Sequence, residues 1–494
     1  MQISSMPLKK TPFIIILGIL FGIMLLNLNK VPIAWIDEVM NIEPAWQFLH
    51  GNGFVGKMWP HAGTENAFLA YLPLSSFVHL IDLYFFPNEI FFTRLLWLVA
   101  LGITCIYTFK YIVARYLTNV SVIYFILCLF VLDEGINNSL RNGRVEMLAI
   151  AIMSALFYLS IRNKRPSIQA ILISLLLIAH PGLYPIAIVF AINLLTKKAS
   201  PLKRVQYILS ILFFPFIYLL IANFDFHNIY QQLVLHGREH DQTAVQGNPF
   251  YLHFIERFWP IYKYQPYMIV INLIMHVSCI YAIIFRWNPR HQLLEWSYLL
   301  TSLFWFFSLA PFYRYTSVLT FMMFLHLPSL MHRIFSVFGF LKINLKSINK
   351  LQLLGGLLLL GYVAIPFATR HYYTFRQWTE RNEYKVYTWL DNSLQKSETK
   401  KNLIIDEAIG FYYSMNHNGY DFTLPYSLHK IKFDEYEHIY YLSFREEPSL
   451  SKLVATYHVE STNSVNLDRK VLTYEGLKLY EVPNQLALEQ LKRK

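Results

Sequence analysis

The stretch WIDEVMNIEPAW, residues 35–46, directly follows the first apolar run of an otherwise hydrophobic chain. It places two adjacent carboxylates, Asp37 and Glu38, where that run ends. One interpretation is that Asp37 caps a helix and that Glu38 complements the positive end of the helix dipole. Capping by Asp37 does not require a second carboxylate beside it, so a chemical role for the pair stays open.

The residues after this pair predict an amphipathic helix that ends near His50, because Gly51 and Gly53 follow. Apolar side chains recur at i, i+3, i+7 and i+10, the spacing of one helical face. These side chains are Val39, Ile42, Trp46 and Leu49. We expect this helix to lie on the membrane surface with its apolar face against lipid.

The composition indicates a polytopic membrane protein. Of the 494 residues, 55% are hydrophobic and only 15% are charged, whereas a soluble globular protein has about 25% charged residues. Several apolar runs approach the ~20 residues that a helix needs to cross a bilayer. About eleven spans are predicted, at residues 11–30, 91–112, 118–134, 145–161, 167–179, 182–196, 204–223, 264–285, 293–310, 315–331 and 351–368.

Basic residues collect at alternate ends of these spans. By the positive-inside rule they mark the cytoplasmic side, so the net charge of +12 follows from topology rather than from nucleic-acid binding. These residues are Lys9, Lys10, Lys110, Arg115, Arg162, Lys164, Arg165, Lys197, Lys198, Lys203, Arg204, Arg286, Arg290, Arg333, Lys342, Lys346 and Lys350. The extracytoplasmic side then holds the loops 31–90, 134–144 and 224–263, the corner at 311–314 and everything after residue 369.

The tail, residues 370–494, is polar enough to form a soluble domain. Its runs KNLIIDEAIGFYYSM, HIYYLSF and GLKLYEVP are typical of strands. The sequence therefore predicts a mainly α transmembrane domain over residues 1–369 and a small extracytoplasmic α/β domain over 370–494.

Charged residues at the start of the fourth span are candidates for a binding site. Arg141, Arg144 and Glu146 come from the segment DEGINNSLRNGRVEMLAI. Arg144 could extend to the lipid headgroups. Glu146 is harder to explain in that way, since a carboxylate entering hydrocarbon is costly and usually faces a polar cavity or a partner.

Two further segments lie at the same outer surface. His180 interrupts a hydrophobic hairpin, where a simple turn at the interface is the alternative explanation. Tyr313 and Arg314 follow Pro311 at a late outer corner. Arginine suits phosphate recognition, although an arginine in an interfacial aromatic belt would have the same sequence context.

Together these motifs resemble the C-type (GT-C) polytopic glycosyltransferases that use lipid-phosphate sugars, especially the branch of protein O-mannosyltransferases and the lipid A aminoarabinose transferase. The resemblance covers roughly residues 10–330. The matching motifs are the Asp37-Glu38 pair that opens the first outer loop, Arg94-Leu95 at the second span, Arg141, Arg144 and Glu146 at the fourth, the His180-Pro181 break, and Arg314-Tyr315.

The resemblance implies transfer of a sugar from a polyprenyl or dolichyl phosphate to a glycan, lipid or protein acceptor outside the cytoplasm. Asp37 would be the carboxylate base of an inverting transfer, and Glu38 would orient it, bind the sugar or fix the loop. Arg141, Arg144 and Arg314 would bind the lipid phosphate, with Glu146 holding an arginine in place. His180 and Tyr313 complete the expected substrate-binding set.

Two other functions compete with glycosyl transfer. A transporter or flippase could use the same charges, but it should carry ionisable residues near the bilayer midplane and often an internal repeat. Here the span interiors are nearly free of charge and the polar residues collect at one face. A non-catalytic scaffold for the tail would not explain Glu146 or the outer basic residues.

The remaining expectations concern cofactors and location. No Gly-rich nucleotide signature is present, in keeping with a lipid-borne donor. Two acidic residues and a histidine are not a diagnostic ligand set, so assistance by a divalent metal stays open. We expect an integral protein of the bacterial inner membrane that contacts membrane lipids and no nucleic acid.

Overall fold

The computed structural model describes most of the chain. The described residues are 10–30, 34, 36–56, 67–69, 72–86, 89–116, 120–141, 143–232, 267–285, 292–307, 317–328, 345–396, 399–406, 408–425, 428, 431–444, 452–458, 473–483, 488 and 491.

Helices dominate the part of the chain up to residue 376. They are α1 (Lys10–Leu26), α2 (Ile36–Leu49), α3 (Leu74–Phe85), α4 (Ile90–Arg115), α5 (Val120–Leu132), α6 (Glu134–Arg141), α7 (Val145–Ile161), α8 (Pro166–Leu177), α9 (Tyr184–Leu195), α10 (Pro201–Ile221), α11 (226–232), α12 (Tyr267–Phe285), α13 (Leu293–Phe307), α14 (Ser317–Pro328) and α15 (Leu345–Arg376). A short 3-10 turn, Pro181–Leu183, separates α8 from α9 at the predicted break.

Each predicted span overlaps one of these helices. Two described helices, α4 and α10, are long and apolar enough to cross a bilayer, and several of the others are shorter apolar helices. The number of spans therefore stays a prediction. Large apolar side chains such as Leu209, Phe213 and Phe216 are exposed on the face of α10 that points away from the bundle. An exposed apolar surface of this kind is typical of contact with lipid.

The helical bundle has one continuous apolar core, built where α4 packs against α7 and α5 packs against α1. Aromatic rings fill its centre: Phe157 lies 5.6 Å from Tyr111 and 4.9 Å from Phe190 between ring centroids. Ring contacts of this kind, tilted in the first pair and edge-on in the second, add stability beyond the area that they bury. The bundle thus provides a rigid support for the ends of α4, α6 and α7.

The predicted helix after Asp37 and Glu38 is confirmed as α2, but most of its apolar face packs on protein, and Leu49 at its end is exposed. Val39 and Ile42 are fully buried in a cluster with residues of the C-terminal domain, among them Leu390 and Phe411. The sequence pattern identified the apolar face correctly. It could not tell a membrane surface from a protein surface, because both remove that face from water.

Among its described elements, the C-terminal domain has helices α16 (Glu383–Ser393) and α17 (Ile409–Asn416) and a five-stranded mixed sheet. Its strands are β1 (Asn402–Ile405), β2 (Tyr420–Thr423), β3 (Ile439–Ser443), β4 (Lys452–Thr456) and β5 (Lys478–Glu481). The strand order is β2-β1-β3-β5-β4, with β1 parallel to β2 and β3 and with β5 antiparallel to β3 and β4.

The predicted α/β tail is confirmed in outline, with two differences. The run 401–415 divides into β1 and α17, since Asp406 accepts backbone hydrogen bonds from Ala408 and Gly410 and so starts a helix. The predicted boundary at residue 369 falls inside α15. This helix continues to Arg376 because its last turns carry buried side chains such as His371 and Thr374.

Candidate functional site

Glu38 forms a fully buried ion pair with Arg94 of α4. Arg94 Nε donates to Glu38 Oε1 at 2.5 Å and Nη2 donates to Oε2 at 2.8 Å, a fork-to-fork arrangement. Arg94 Nη1 donates to the Leu28 carbonyl just after α1, at 2.9 Å. The two side chains are 2% and 0% exposed. Of the roles expected for Glu38, this geometry favours fixing the loop to the bundle.

Asp37 lies in the first turn of α2. The helix begins at Ile36, one residue earlier, so Asp37 is inside the helix rather than at its cap. A carboxylate in the first turn still complements the helix dipole. The Asp37 side chain lies outside the described part of the structure.

The C-terminal domain closes over the Glu38–Arg94 pair. Tyr412 of α17 is fully buried and interacts electrostatically with both charges of the pair. Burial raises the pKa of the Tyr412 hydroxyl well above its usual value, and the Glu38 charge adds to the rise while the Arg94 charge opposes it. Tyr412 therefore stays neutral, and it helps to keep water from the pair.

The residues just after α1 are held by charged groups from the turn between α15 and α16 and from the start of α16. Glu383 accepts hydrogen bonds from Lys30 Nζ at 3.2 Å and from Asn29 Nδ2 at 2.7 Å. Arg381 Nη1 donates to the Lys30 carbonyl at 3.0 Å. Asn29 and Lys30 are thus fixed to residues 381–383, at the start of the C-terminal domain.

A second arginine–carboxylate pair lies at the start of α7. Arg144 Nη2 donates to Glu146 Oε1 at 2.9 Å and Nε donates to Oε2 at 3.1 Å. This is the contact that the sequence predicts for Glu146. The Arg144 side chain is 12% exposed and that of Glu146 is 3% exposed. Glu146 therefore orients the guanidinium of an arginine whose side chain is partly exposed.

His180 belongs to the same group. Its protonation is affected by the charges of Glu146 and Arg144, and its Nδ1 accepts a hydrogen bond from Gly182 N at 3.0 Å. Burial lowers the pKa of His180 to about 4; Glu146 opposes this and Arg144 adds to it. The imidazole is neutral at pH 7, and its tautomer keeps Nδ1 as the acceptor.

The turn at Gly143 brings the two pairs close together. Gly143 has a φ of +58°, and a Cβ on this residue would lie 3.3 Å from Glu38 Cγ. The backbone conformation favours glycine, and a Cβ at this position would crowd the Glu38 side chain. Arg144, the next residue, is therefore a neighbour of the helix that carries Asp37 and Glu38.

The other predicted residues are described only in part. Arg141 is the last residue of α6, two residues before Gly143, but its side chain lies outside the described residues. Tyr313 and Arg314 lie outside them altogether. Among the described residues, no group of three or more His, Cys, Asp or Glu side chains is arranged to hold a metal ion.

Sequence reasoning missed the contributions of Arg94, Gly143 and Trp97 to the geometry of this region. Arg94 entered only as part of a family motif, although a charged residue at the start of an apolar span is itself a signal of a buried partner. Gly143 follows an asparagine, and an Asn-Gly dipeptide marks a turn. Trp97 carries no such signal.

Comparisons with known proteins identify the fold. No family profile and no curated protein sequence matches the chain. A crystal structure of ArnT from Cupriavidus metallidurans bound to undecaprenyl phosphate is similar at a TM-score of 0.55 and 10% identity, covering 96% of this chain and 98% of that one. Its apo crystal structure is similar at a TM-score of 0.51 and 10% identity, covering 95% and 97%. The chain has the fold of these structures over nearly its whole length.

Proposed function

We propose that this protein is a membrane glycosyltransferase of the GT-C class, which moves a sugar from a polyprenyl-phosphate donor to an acceptor hydroxyl on the extracytoplasmic side. The observation that carries the proposal is the position of the Arg144–Glu146–His180 group, adjoining the helix with Asp37 and Glu38. The same fold in ArnT binds undecaprenyl phosphate, and the sequence motifs resemble enzymes that use such donors.

In the proposed reaction Asp37 takes the proton of the acceptor hydroxyl as its oxygen attacks the anomeric carbon of the sugar. The bond from that carbon to the phosphate oxygen breaks, and the lipid phosphate leaves with the electron pair. A carboxylate base suits this step. Glu38 does not need to touch the sugar, because its bonds to Arg94 hold α2 in place.

The leaving phosphate gains negative charge in the transition state, and fixed cations stabilise it. Arg144 is our principal candidate, since Glu146 orients its guanidinium and part of the side chain is accessible. Arg141, Arg314 and Tyr313 are proposed to complete the phosphate site, and His180 to line it as a neutral hydrogen-bonding group.

We further propose that the first outer loop and the C-terminal domain lie on the extracytoplasmic side of a bacterial inner membrane. The contacts of Glu383 with Lys30 and Asn29 support one side for both segments. The native cysteines are buried, so impermeant thiol labelling of Asn52→Cys, Lys401→Cys and Lys164→Cys should report exposure cleanly. In intact cells the first two should be labelled and the third should not; labelling of only one of the first two would disprove the topology.

The function is tested by sugar release from a radiolabelled polyprenyl-phosphate sugar. Asp37→Asn keeps the size of the side chain but cannot accept the proton, so turnover should fall by roughly 10²–10⁴-fold with thermal stability near parental. Glu38→Gln is the matched comparison. It should lower the thermal stability of the protein more than it lowers turnover per folded molecule. Equal rates for the parent and Asp37→Asn would remove Asp37 from the mechanism.

A further inference from the structure

Helix α3, in the first outer loop, has its polar face turned inward. Ser76, His79 and Asp82 are buried, whereas Ile81 and Tyr84 on the opposite face are exposed. Buried polar groups of this kind require partners in the protein. The partners of α3 belong both to the helix that carries Asp37 and to the segments that carry Arg144 and His180.

The first connection runs from His79 through Trp97 to Arg144. His79 Nδ1 is 3.0 Å from Asp82 Oδ2, and both side chains are almost fully buried. The imidazole stacks on the Trp97 ring, with centroids 4.6 Å apart and planes at 26°. The Trp97 indole Nε1 donates to the Arg144 carbonyl at 2.7 Å.

This hydrogen bond fixes the main chain of Arg144 on its carbonyl side. On its amide side, Arg144 N donates to the Ser139 carbonyl at 3.1 Å. With Glu146 holding the guanidinium, the residue is held at both its main chain and the end of its side chain. Asp82 fixes the His79 ring, and the ring in turn fixes the orientation of the indole.

Two shorter connections start from the beginning of α3. Leu74 N donates to the Ile178 carbonyl at 3.1 Å, two residues before His180. Ser76 Oγ donates to the Asn41 carbonyl of α2 at 2.8 Å. One helix is therefore bonded both to the helix of the proposed base and to the segments that carry the proposed phosphate-binding residues.

We propose that α3 sets the distance between the proton acceptor and the phosphate site, and that Trp97 and His79 are positioning residues for Arg144. This inference rests on the proposed function. A displacement of about 1 Å between reacting groups can lower a rate by two orders of magnitude, so a rigid spacer between the two halves has a direct catalytic consequence.

The test replaces the indole N–H without removing the aromatic ring. Trp97→Phe retains a ring that can stack on His79 but cannot donate to Arg144. Its donor KM and its equilibrium Kd for undecaprenyl phosphate should rise roughly three- to tenfold, the effect of one lost hydrogen bond, while the acceptor KM is unchanged. Tyr298→Phe is the control, since it also removes a partly buried hydrogen-bonding group, the hydroxyl that donates to Asn272 Oδ1 and lies 3.4 Å from His276 Nδ1. It should leave the donor KM unchanged.

Ser76→Ala tests the other end of α3. Loss of its bond to Asn41 loosens the helix that carries Asp37, so kcat should fall by about three- to tenfold with the donor KM near parental. A donor KM that does not rise in Trp97→Phe, or that rises equally in Tyr298→Phe, would overturn the inference. If the parent itself neither binds undecaprenyl phosphate nor releases sugar from the lipid donor, the proposed function fails instead.

Discussion

The Arg94–Glu38 and Arg144–Glu146 pairs have the same chemistry but different surroundings. Arg94 and Glu38 are 0% and 2% exposed, where α2 meets α4 and the C-terminal domain. Arg144 and Glu146 are 12% and 3% exposed, at the start of α7. Both carboxylates bind their arginine through two hydrogen bonds, so the difference lies in the exposed fraction of the arginine side chain.

This difference separates a structural arginine from one suited to ligand binding. Arg94 joins three elements, because it bonds to Glu38 of α2 and to Leu28 just after α1 while belonging to α4. Removing one partner of a buried pair of this kind destabilises the fold strongly. The intact pair, however, adds little stability relative to apolar residues of similar size. Arg144 is oriented and partly accessible, which is what recognition of a phosphate requires.

The largest expected effect is the loss of stability on breaking the buried Arg94–Glu38 pair. Arg94→Met leaves Glu38 buried without its cation, which should destabilise the protein by about 3–5 kcal/mol. The double variant Arg94→Met with Glu38→Leu should recover most of this loss. Thermal unfolding of the purified proteins measures both, and a single variant as stable as the parent would show that the pair does not hold the loop.

A smaller effect is expected at the Arg144–Glu146 pair, where replacing the arginine should act on donor binding. Arg144→Lys keeps the charge but loses the planar fork, so donor affinity should fall by about tenfold, or 1.4 kcal/mol, with the fold preserved. Arg94→Lys is the matched control and should lower stability more than donor affinity per folded molecule. If Arg144→Lys binds the donor as tightly as the parent, the contrast between the two arginines is lost.

The mildest effect is a pH dependence beside the accessible pair. Burial lowers the pKa of His180 to about 4 from 6.5, so the unfolded chain binds a proton between these values and the folded protein does not. The stability is therefore complete above pH 6.5 and declines as the pH falls toward 4. In His180→Asn, whose side-chain oxygen can accept from Gly182 N, the fall in Tm over this range should be smaller by a few degrees. Identical pH profiles would contradict a buried neutral imidazole.

Much of the fold could be predicted from the sequence because its main signals are local. Apolar runs located the helices, the break at His180 was found from its proline and glycine, and the strand of run 438–444 was found as β3. The contact of Arg144 with Glu146 could be anticipated because the two residues are neighbours in sequence. Periodicity and spacing are sufficient for features of this kind.

The contacts between distant segments could not be predicted in this way. Glu38 meets Arg94 across 56 residues, and α2 packs against Tyr412 of a domain that begins far along the chain. The apolar face of α2 gives no indication of whether lipid or protein covers it. Trp97 is one apolar residue among many in α4, and only the fold shows that its indole reaches the Arg144 carbonyl.

The most direct test of the proposed site is an experimental density map of the purified protein with bound undecaprenyl phosphate. The account predicts phosphate density within about 3 Å of the Arg144 guanidinium, on the side that faces the first turn of α2, where Asp37 lies. Arg94 should still be paired with Glu38. Phosphate density near Lys164 or Lys197, at the predicted cytoplasmic ends of the helices, with none at Arg144, would contradict it.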